Sequence, residues 1–148
     1  TTPNDLDELE RKLRLNQFRG GTAAVYMEPV GPESGTTPIT VEYVKGVERL
    51  CRKYGALLVF DEVVTGFRIG MAGAQGYFGV SPDLTIFGKV IAGGYPGAGG
   101  IGGKREYMKY LGAGLDSSGK KIHKALVGGT MTANPLSCCA GYFTLEEI

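Results

Sequence analysis

Apolar residues recur along the chain at two different spacings, and these spacings predict which segments are helices and which are strands. Leucines at positions 6, 9 and 13 stand among charges, which predicts an amphipathic helix over residues 5–15. The same spacing continues from Val41 to Tyr54, where Gly55 follows as a C-terminal cap. Short apolar runs of strand length occupy residues 22–27, 56–60 and 84–87.

The order of these elements predicts the fold class. A strand, a crossover helix and a second strand make a βαβ unit, and uninterrupted apolar strands are typical of a sheet that is covered on both faces. We therefore expect an α/β fold. A short helix over residues 105–111 follows, and a final helix begins after Asn134, an N-cap residue, with Pro135 in the first helical position.

The two ends of the chain predict a piece of a larger domain. A length of 148 residues is compatible with one domain. However, the chain begins at Thr1 rather than at methionine, and the last helix runs to Ile148 without a stop signal.

Charge and composition exclude several classes of partner. The formal net charge is +1, from 16 basic and 15 acidic residues, so there is no electrostatic basis for a nucleic-acid or anionic-membrane partner. No apolar run approaches the roughly 20 residues of a membrane span. Three cysteines, two of them adjacent, form a poor disulfide framework and indicate a cytoplasmic protein. His123 has no cysteine or histidine at ligand spacing, so we expect no metal site.

Glycine is over-represented, with 25 residues of which seven lie between Gly93 and Gly103. Residues 97–102 match the dinucleotide fingerprint G-x-G-x-x-G, but a segment this rich in glycine satisfies that pattern by chance. Tyr95 and Pro96 also interrupt the strand-to-helix context that the fingerprint needs. We favour a close-packed backbone turn beside an active site. A non-catalytic module that binds a nucleotide stays open as another class of function.

Three predicted strands deliver polar residues to one edge of the sheet, where ligands bind in parallel α/β folds. These residues are Glu28, Asp61 and Lys89. A partly buried aspartate needs a cationic partner, and a desolvated lysine is a nucleophile toward carbonyls. Spacing alone leaves open a functional pair, a structural Asp61–Lys89 ion pair, or two independent charges.

Four motifs, in order, carry a resemblance to a known family. Residues 58–68 read LVFDEVVTGFR, and residues 81–85 read SPDLT ahead of Gly88-Lys89. Glu28-Pro29-Val30 stands upstream, and Gly129-Thr130 with Asn134-Pro135-Leu136 stands downstream. Together they resemble class III pyridoxal-phosphate-dependent aminotransferases. Val64 and residues 73–80, GAQGYFGV, are most similar to the glutamate-1-semialdehyde aminomutase branch.

The resemblance implies a fold and an assembly. It predicts the large domain of a fold-type-I enzyme, with a mostly parallel sheet and helices on both faces. Residues 1–148 would be part of that cofactor-binding domain, with an N-terminal segment and a C-terminal small domain outside it. We expect the segment alone to be inactive. The whole enzyme would be a cytoplasmic homodimer with shared active sites, acting on a small-molecule amino substrate.

The resemblance also implies roles for individual residues. Lys89 would form the internal Schiff base with pyridoxal 5'-phosphate and later move a proton between substrate and cofactor. Asp61 would bond the pyridine nitrogen, and Val63 would pack against the ring. Thr130 matches the threonine that reaches the cofactor phosphate of the neighbouring subunit.

Glu33 and Val64 indicate different branches of the family. Amine-specific relatives often have a glutamate at the position of Glu33, where it can pair with a substrate-gating arginine, whereas Val64 stands where those relatives often have a glutamine. Two activities therefore stay open. One is an aminomutase, and the other is an aminotransferase that moves amine from a β- or ω-amino compound to a keto acid.

Other residues near these motifs are expected to be structural. Glu62 and Arg68 are interpreted as salt-bridge residues of a loop or interface. Tyr26 and Phe60 are interpreted as core residues.

Overall fold

In the computed structural model, the chain folds into a four-stranded sheet with helices packed against it. The structure describes residues 1–31, 36–112 and 114–148. The helices are α1 (Leu6–Gln17), α2 (Val41–Tyr54), α3 (Gly73–Phe78), α4 (Arg105–Met108) and α5 (Pro135–Glu147). The strands are β1 (Ala24–Met27), β2 (Leu57–Asp61), β3 (Leu84–Phe87) and β4 (Gly100–Gly103). Two 3₁₀ turns, Lys89–Ala92 and Lys109–Leu111, follow β3 and α4.

The sheet has the order β1-β2-β3-β4 and is mostly parallel. Strands β1, β2 and β3 run parallel, whereas β4 pairs with β3 in the antiparallel sense. The prediction of an α/β fold is confirmed, with one antiparallel edge strand that makes the sheet mixed. Because β1, β2 and β3 are parallel, the residues that follow them lie at one edge.

The hydrophobic core lies between the sheet and helices α1 and α2. Leu58 and Phe60 of β2 are fully buried there, together with Val44 of α2 and Leu13 of α1. Strand side chains alternate between faces, so Tyr26, which stands between two residues packed on this core, belongs to the opposite face. Its side chain is 57% exposed, which corrects its interpretation as a core residue.

The predicted helix ends are confirmed by their capping groups. The Thr40 side chain accepts a hydrogen bond from the backbone N–H of Tyr43 at the start of α2. That helix ends at Gly55, which has a φ of 68°. Asn134 caps α5 by accepting a hydrogen bond from the Ser137 N–H at 3.0 Å.

Among the described residues, no helix combines the length and apolar character that a membrane span requires.

The glycine-rich segment is partly a turn and partly a strand, so its interpretation as a turn alone was incomplete. Gly93 has a φ of 59°, and a Cβ there would lie 2.7 Å from the Ala140 carbonyl oxygen of α5. Gly103 belongs to β4, and its added Cβ would lie 2.5 Å from the Asp83 carbonyl oxygen. Close backbone approach therefore requires glycine in both places.

A buried carboxylate connects four elements at the sheet edge where β2 and β3 begin and β4 ends. Asp83, just before β3, has a fully buried side chain that accepts from Arg52 Nη1 of α2 at 3.0 Å and from Lys104 Nζ, just after β4, at 2.5 Å. It also accepts from the Leu58 N–H of β2 at 2.8 Å. Burial opposes ionisation, but the hydrogen bonds from Lys104, Leu58 and Arg52 outweigh it and hold the Asp83 pKa below its usual value.

We expect Asp83→Asn to destabilise the full-length protein by about 2 kcal/mol, because it removes the charge from the hydrogen bonds to two cations while keeping an acceptor for Leu58. Thermal unfolding of variant and wild type measures this difference. Asp116→Asn is the matched control, since Asp116 is exposed and its hydrogen bonds are local. Equal losses from the two substitutions would contradict the anchoring role of Asp83.

The same comparison has a defined pH dependence. Folding lowers the pKa of the Asp83 carboxyl, so its ionised form stabilises the native state at any pH above the unfolded pKa of roughly 3.9. This stabilisation is lost as the pH falls through the pKa of the folded state. The gap in thermal midpoint between wild type and Asp83→Asn should therefore be constant at neutral pH and narrow below about pH 4. A gap that widened on acidification would contradict this assignment.

Candidate active site

The carboxyl ends of β2 and β3 bring Asp61 and Lys89 to the same edge of the sheet. Asp61 is in register with Ile86 of β3, and the Glu62 N–H donates to the Ile86 carbonyl oxygen at 2.8 Å. Lys89 follows β3 after a single glycine, Gly88. Glu28, half-buried, follows the end of β1 at this edge. The predicted convergence of three strand ends is confirmed.

The Asp61 carboxylate is held by one hydrogen bond on each oxygen. The Val63 N–H donates to Oδ1 at 3.0 Å, and the Tyr26 hydroxyl donates to Oδ2. The hydrogen bond to Asp61 is the largest of the influences that raise the pKa of Tyr26 to about 12, followed by burial and by the negative charges of Asp61 and Glu28. Tyr26 is therefore a protonated donor at neutral pH, and Asp61 keeps acceptor capacity on both oxygens.

Lys89 occupies an unusual backbone conformation beside an open cleft. Its φ of 49° lies in the left-handed region, which is uncommon for residues other than glycine and often marks functional positions. The side chain is exposed and lines a cleft of about 420 Å³. The remaining lining residues are Arg68, Val90, Gly94 and Tyr95. The amine is thus accessible to a small molecule in this cleft.

The alternative of a structural Asp61–Lys89 ion pair is wrong. Within the described chain, the ion pairs involve other residues, and the Lys89 amine takes part in no hydrogen bond or salt bridge. Asp61 takes its hydrogen bonds from Tyr26 and Val63 instead. The lysine is therefore left accessible for chemistry.

Val63, in the loop after β2, packs against the backbone of Gly88, the residue before Lys89. A Cβ at Gly88 would lie 3.1 Å from Val63 Cγ1 and 3.2 Å from its Cγ2, so glycine there lets the valine approach closely. The backbone of the same residue donates to Asp61. Three of the four residues with a predicted cofactor role, Asp61, Val63 and Lys89, are thus brought together.

Thr130, the fourth of these residues, belongs to a different part of the chain. Thr130 is exposed in the loop that leads to α5. Its neighbours Gly129 and Met131 line a separate cleft of about 410 Å³ with Gly97 and Gly99. Within the described chain, Thr130 makes no hydrogen bond with Asp61 or Lys89. Its role in cofactor binding stays a prediction. Glu33 lies outside the described residues.

Glu62 has a different structural role from the one expected. Its side chain is buried and accepts hydrogen bonds from the Ala74 N–H at 2.7 Å and the Thr65 hydroxyl at 3.1 Å. Both the backbone and the side-chain amide of Gln75 donate to it as well. No cation pairs with it in the described chain, so the predicted salt bridge within a loop is wrong. Glu62 instead ties the loop after Asp61 to the start of α3.

Tyr26 is the site residue that the sequence interpretation missed. Its alternation with Val25 and Met27 was a usable signal, because those two pack on the core and Tyr26 must then face the other way. Tyr26 is in register with Val59 of the neighbouring strand β2, and Asp61, two residues after Val59, lies on the same face.

No group of three or more histidine, cysteine, aspartate or glutamate side chains suited to a metal ion occurs among the described residues.

The solved structures that resemble this chain define its class. An omega-transaminase from Sphaerobacter thermophilus matches with a TM-score of 0.80 and 35% sequence identity, covering 98% of this chain and 31% of that one. A structure described as a transaminase with PLP bound matches with a TM-score of 0.80 and 32% identity, covering 99% of this chain and 32% of that one. The fold is that of fold-type-I pyridoxal-phosphate-dependent transaminases.

The sequence places the chain more narrowly. The family model for class-III aminotransferases matches residues 4–148, and the chain belongs to this family. A relative named glutamate-1-semialdehyde 2,1-aminomutase, from Legionella pneumophila (strain Paris), is 43% identical over 149 residues, covering 100% of this chain and 33% of the relative. The chain thus spans about a third of the length of the relatives that it matches.

Proposed function

We propose that the full-length protein catalyses amino-group transfer with pyridoxal 5'-phosphate attached to Lys89 as a Schiff base. The observation that carries this proposal is the position of an unpaired lysine and a doubly hydrogen-bonded aspartate at one sheet edge. Membership of the class-III aminotransferase family and the likeness to a PLP-bound transaminase support it.

The residues at this edge fit the chemistry of that cofactor. Attachment through an aldehyde needs an accessible amine, and the Lys89 amine is exposed to a cleft. A protonated ring nitrogen needs an anionic acceptor, and each oxygen of Asp61 keeps acceptor capacity beside its one hydrogen bond. A flat ring also needs an apolar contact, and the half-buried side chain of Val63, which lies beside Gly88, would supply it.

Each side chain then has a defined task. When bound, pyridoxal 5'-phosphate supplies an acceptor for the electrons that a substrate carbon releases on losing a proton. Lys89 Nζ would hold the cofactor before the reaction, and the freed amine would take that proton and return it to a different atom. The negative charge of Asp61 would keep the ring nitrogen protonated. Val63 would contact one face of the ring.

The proposed assembly places part of each site on a second subunit. Thr130 is not among the hydrogen-bond partners of Asp61, which are Tyr26 and Val63 of the same chain, and this is compatible with a threonine that contacts the cofactor phosphate of the neighbouring subunit. We propose a homodimer with shared active sites, located in the cytoplasm and acting on a small-molecule amino substrate. Glu33 is the proposed substrate-gating residue.

The proposed reaction is the internal amino shift of a glutamate-1-semialdehyde 2,1-aminomutase. The relative of that name at 43% identity supports it. The second candidate is an aminotransferase that uses a keto acid acceptor, and the likeness to an omega-transaminase at 35% identity favours it. Only the second reaction requires an external amino acceptor. The test is whether the full-length enzyme consumes pyruvate or 2-oxoglutarate in a stoichiometric ratio to the amine. If it does, the aminomutase proposal is refuted and the aminotransferase proposal is supported.

Borohydride reduction followed by peptide mass spectrometry tests the cofactor proposal. We expect a phosphopyridoxyl adduct on Lys89 of the full-length protein, because reduction makes the bond between its amine and the cofactor permanent. Lys104 is the internal control, since its amine is engaged by Asp83 and should carry no adduct. An unmodified Lys89 with saturating cofactor would refute the proposal and favour the non-catalytic nucleotide-binding module.

A further inference from the structure

We propose that Tyr26 is a positioning residue that orients the Asp61 carboxylate toward the ring nitrogen of the cofactor. This inference rests on the proposed function, because Asp61 has that partner only if pyridoxal 5'-phosphate binds at this edge. It adds a residue of β1 to Asp61, Val63 and Lys89, which lie at the carboxyl ends of β2 and β3.

The strand register places the two side chains on one face. Tyr26 of β1 is in register with Val59 of β2, and Asp61 stands two residues further along the same strand. Residues two apart in a strand share a face, so Tyr26 and Asp61 form a diagonal pair across neighbouring strands. Such a pair is within reach of a long aromatic side chain, and the phenol contacts Oδ2 of Asp61.

Two donors on different oxygens fix the plane of the carboxylate. The Val63 N–H holds Oδ1 from the loop of Asp61 itself, and the Tyr26 hydroxyl holds Oδ2 from a different strand. With either donor alone, the carboxylate could rotate about its bond to Cβ. The second donor therefore restricts the directions in which the remaining lone pairs of Asp61 point.

A phenol suits this position because it is a neutral donor. An arginine or a lysine would reach the same carboxylate but would neutralise the charge that a protonated ring nitrogen needs. Tyr26 stays protonated at neutral pH, since the hydrogen bond to Asp61, burial and nearby negative charge all disfavour the phenolate. Asp61 thus gains orientation and keeps its charge.

The exposure of Tyr26 indicates that this hydrogen bond is not a requirement of the core. The ring is 57% exposed and lies on the face away from helices α1 and α2, so removal of its hydroxyl should leave the fold intact. Tyr26→Phe deletes that hydroxyl and leaves the ring in place. The effect on Asp61 can then be measured separately from folding.

The test compares two cofactors that differ only at the ring nitrogen. Equilibrium dissociation constants are measured on the full-length apoprotein for pyridoxal 5'-phosphate and for the analogue in which a C–H group replaces that nitrogen. Both keep the aldehyde and the phosphate. For one hydrogen bond to a charged acceptor at a half-exposed position, we expect Tyr26→Phe to weaken binding of the natural cofactor by about 5- to 10-fold. Binding of the analogue should change by less than about 2-fold, because its ring offers Asp61 no partner.

Controls separate this inference from the proposed function. Tyr77→Phe removes the hydroxyl of an exposed tyrosine on α3 and should change neither constant. Equal weakening for both cofactors, or none for either, would overturn the role of Tyr26 while leaving the adduct on Lys89 of the wild type in place. If the wild type forms no such adduct, both the proposed function and the role of Tyr26 are overturned.

Discussion

Replacement of Lys89 by alanine in the full-length protein is expected to lower the rate of amino transfer by at least about 10³-fold, because one side chain supplies both the attachment amine and the general base. The reducible adduct should disappear at the same time. Lys89 is exposed and without a hydrogen bond or salt bridge in the described chain, so its removal should not lower the thermal midpoint of the apoprotein.

Steady-state kinetics and the visible absorbance of the bound cofactor measure these effects. Lys120→Ala is the matched control, since it removes an exposed lysine far along the chain and should leave both readouts unchanged. Addition of a small primary amine to the Lys89→Ala protein should restore part of the rate, because it supplies the missing base. Retention of more than a tenth of wild-type activity by Lys89→Ala would refute the assignment.

Replacement of Asp61 by asparagine is expected to lower the rate by about 10² to 10³-fold, which is typical for the loss of one preorganised electrostatic contact. Asparagine keeps an oxygen that can accept a hydrogen bond from Tyr26 or Val63 but removes the negative charge that stabilises a protonated ring nitrogen. Since attachment depends on Lys89 and not on that charge, the borohydride adduct should still form.

The separation of rate from attachment is the diagnostic result for Asp61. Rates and adduct yields of Asp61→Asn are compared with those of Asp7→Asn, which changes an exposed aspartate of α1. A folded Asp61→Asn protein with wild-type rate would show that the carboxylate does not contact the reacting system. Loss of the adduct would assign Asp61 to attachment instead of to the ring nitrogen.

Much of the fold was predictable because local chemistry and long-range packing agree in those segments. The apolar spacing of α2 ends at Gly55, and the structure ends the helix there in the left-handed conformation. Asn134 and Pro135 likewise predicted the start of α5. Short apolar runs bounded by turn residues predicted three of the four strands, β1, β2 and β3.

The fourth strand could not be predicted from local patterns. Residues 100–103 read GIGG, and glycine is unfavourable in strands when only intrinsic preference counts. The strand forms because β3 offers a partner and because Gly103 allows its backbone to approach the Asp83 carbonyl oxygen. Both reasons depend on residues that are distant in sequence.

The candidate site was predictable for residues that follow strands, and less so for their supports. Asp61 and Lys89 each stand at the end of an apolar run, which is a local signal. Tyr26 required the register between β1 and β2, and Glu62 required the position of α3, which the sequence pattern did not predict. The alternation with Val25 and Met27 indicates which face Tyr26 occupies, but its hydrogen bond to Asp61 is a property of tertiary structure that composition and spacing do not identify.

The Asp83 cluster and the candidate site occupy opposite ends of the same strands. A strand of four residues such as β3 spans roughly 13 Å, and substitutions separated by more than roughly 10 Å usually have additive effects on stability. Substitutions at the two ends should therefore have additive effects on the free energy of unfolding. Stabilising substitutions around Arg52, Asp83 and Lys104 can therefore be combined with substitutions around Asp61 and Lys89, and each set should change the free energy of unfolding independently of the other.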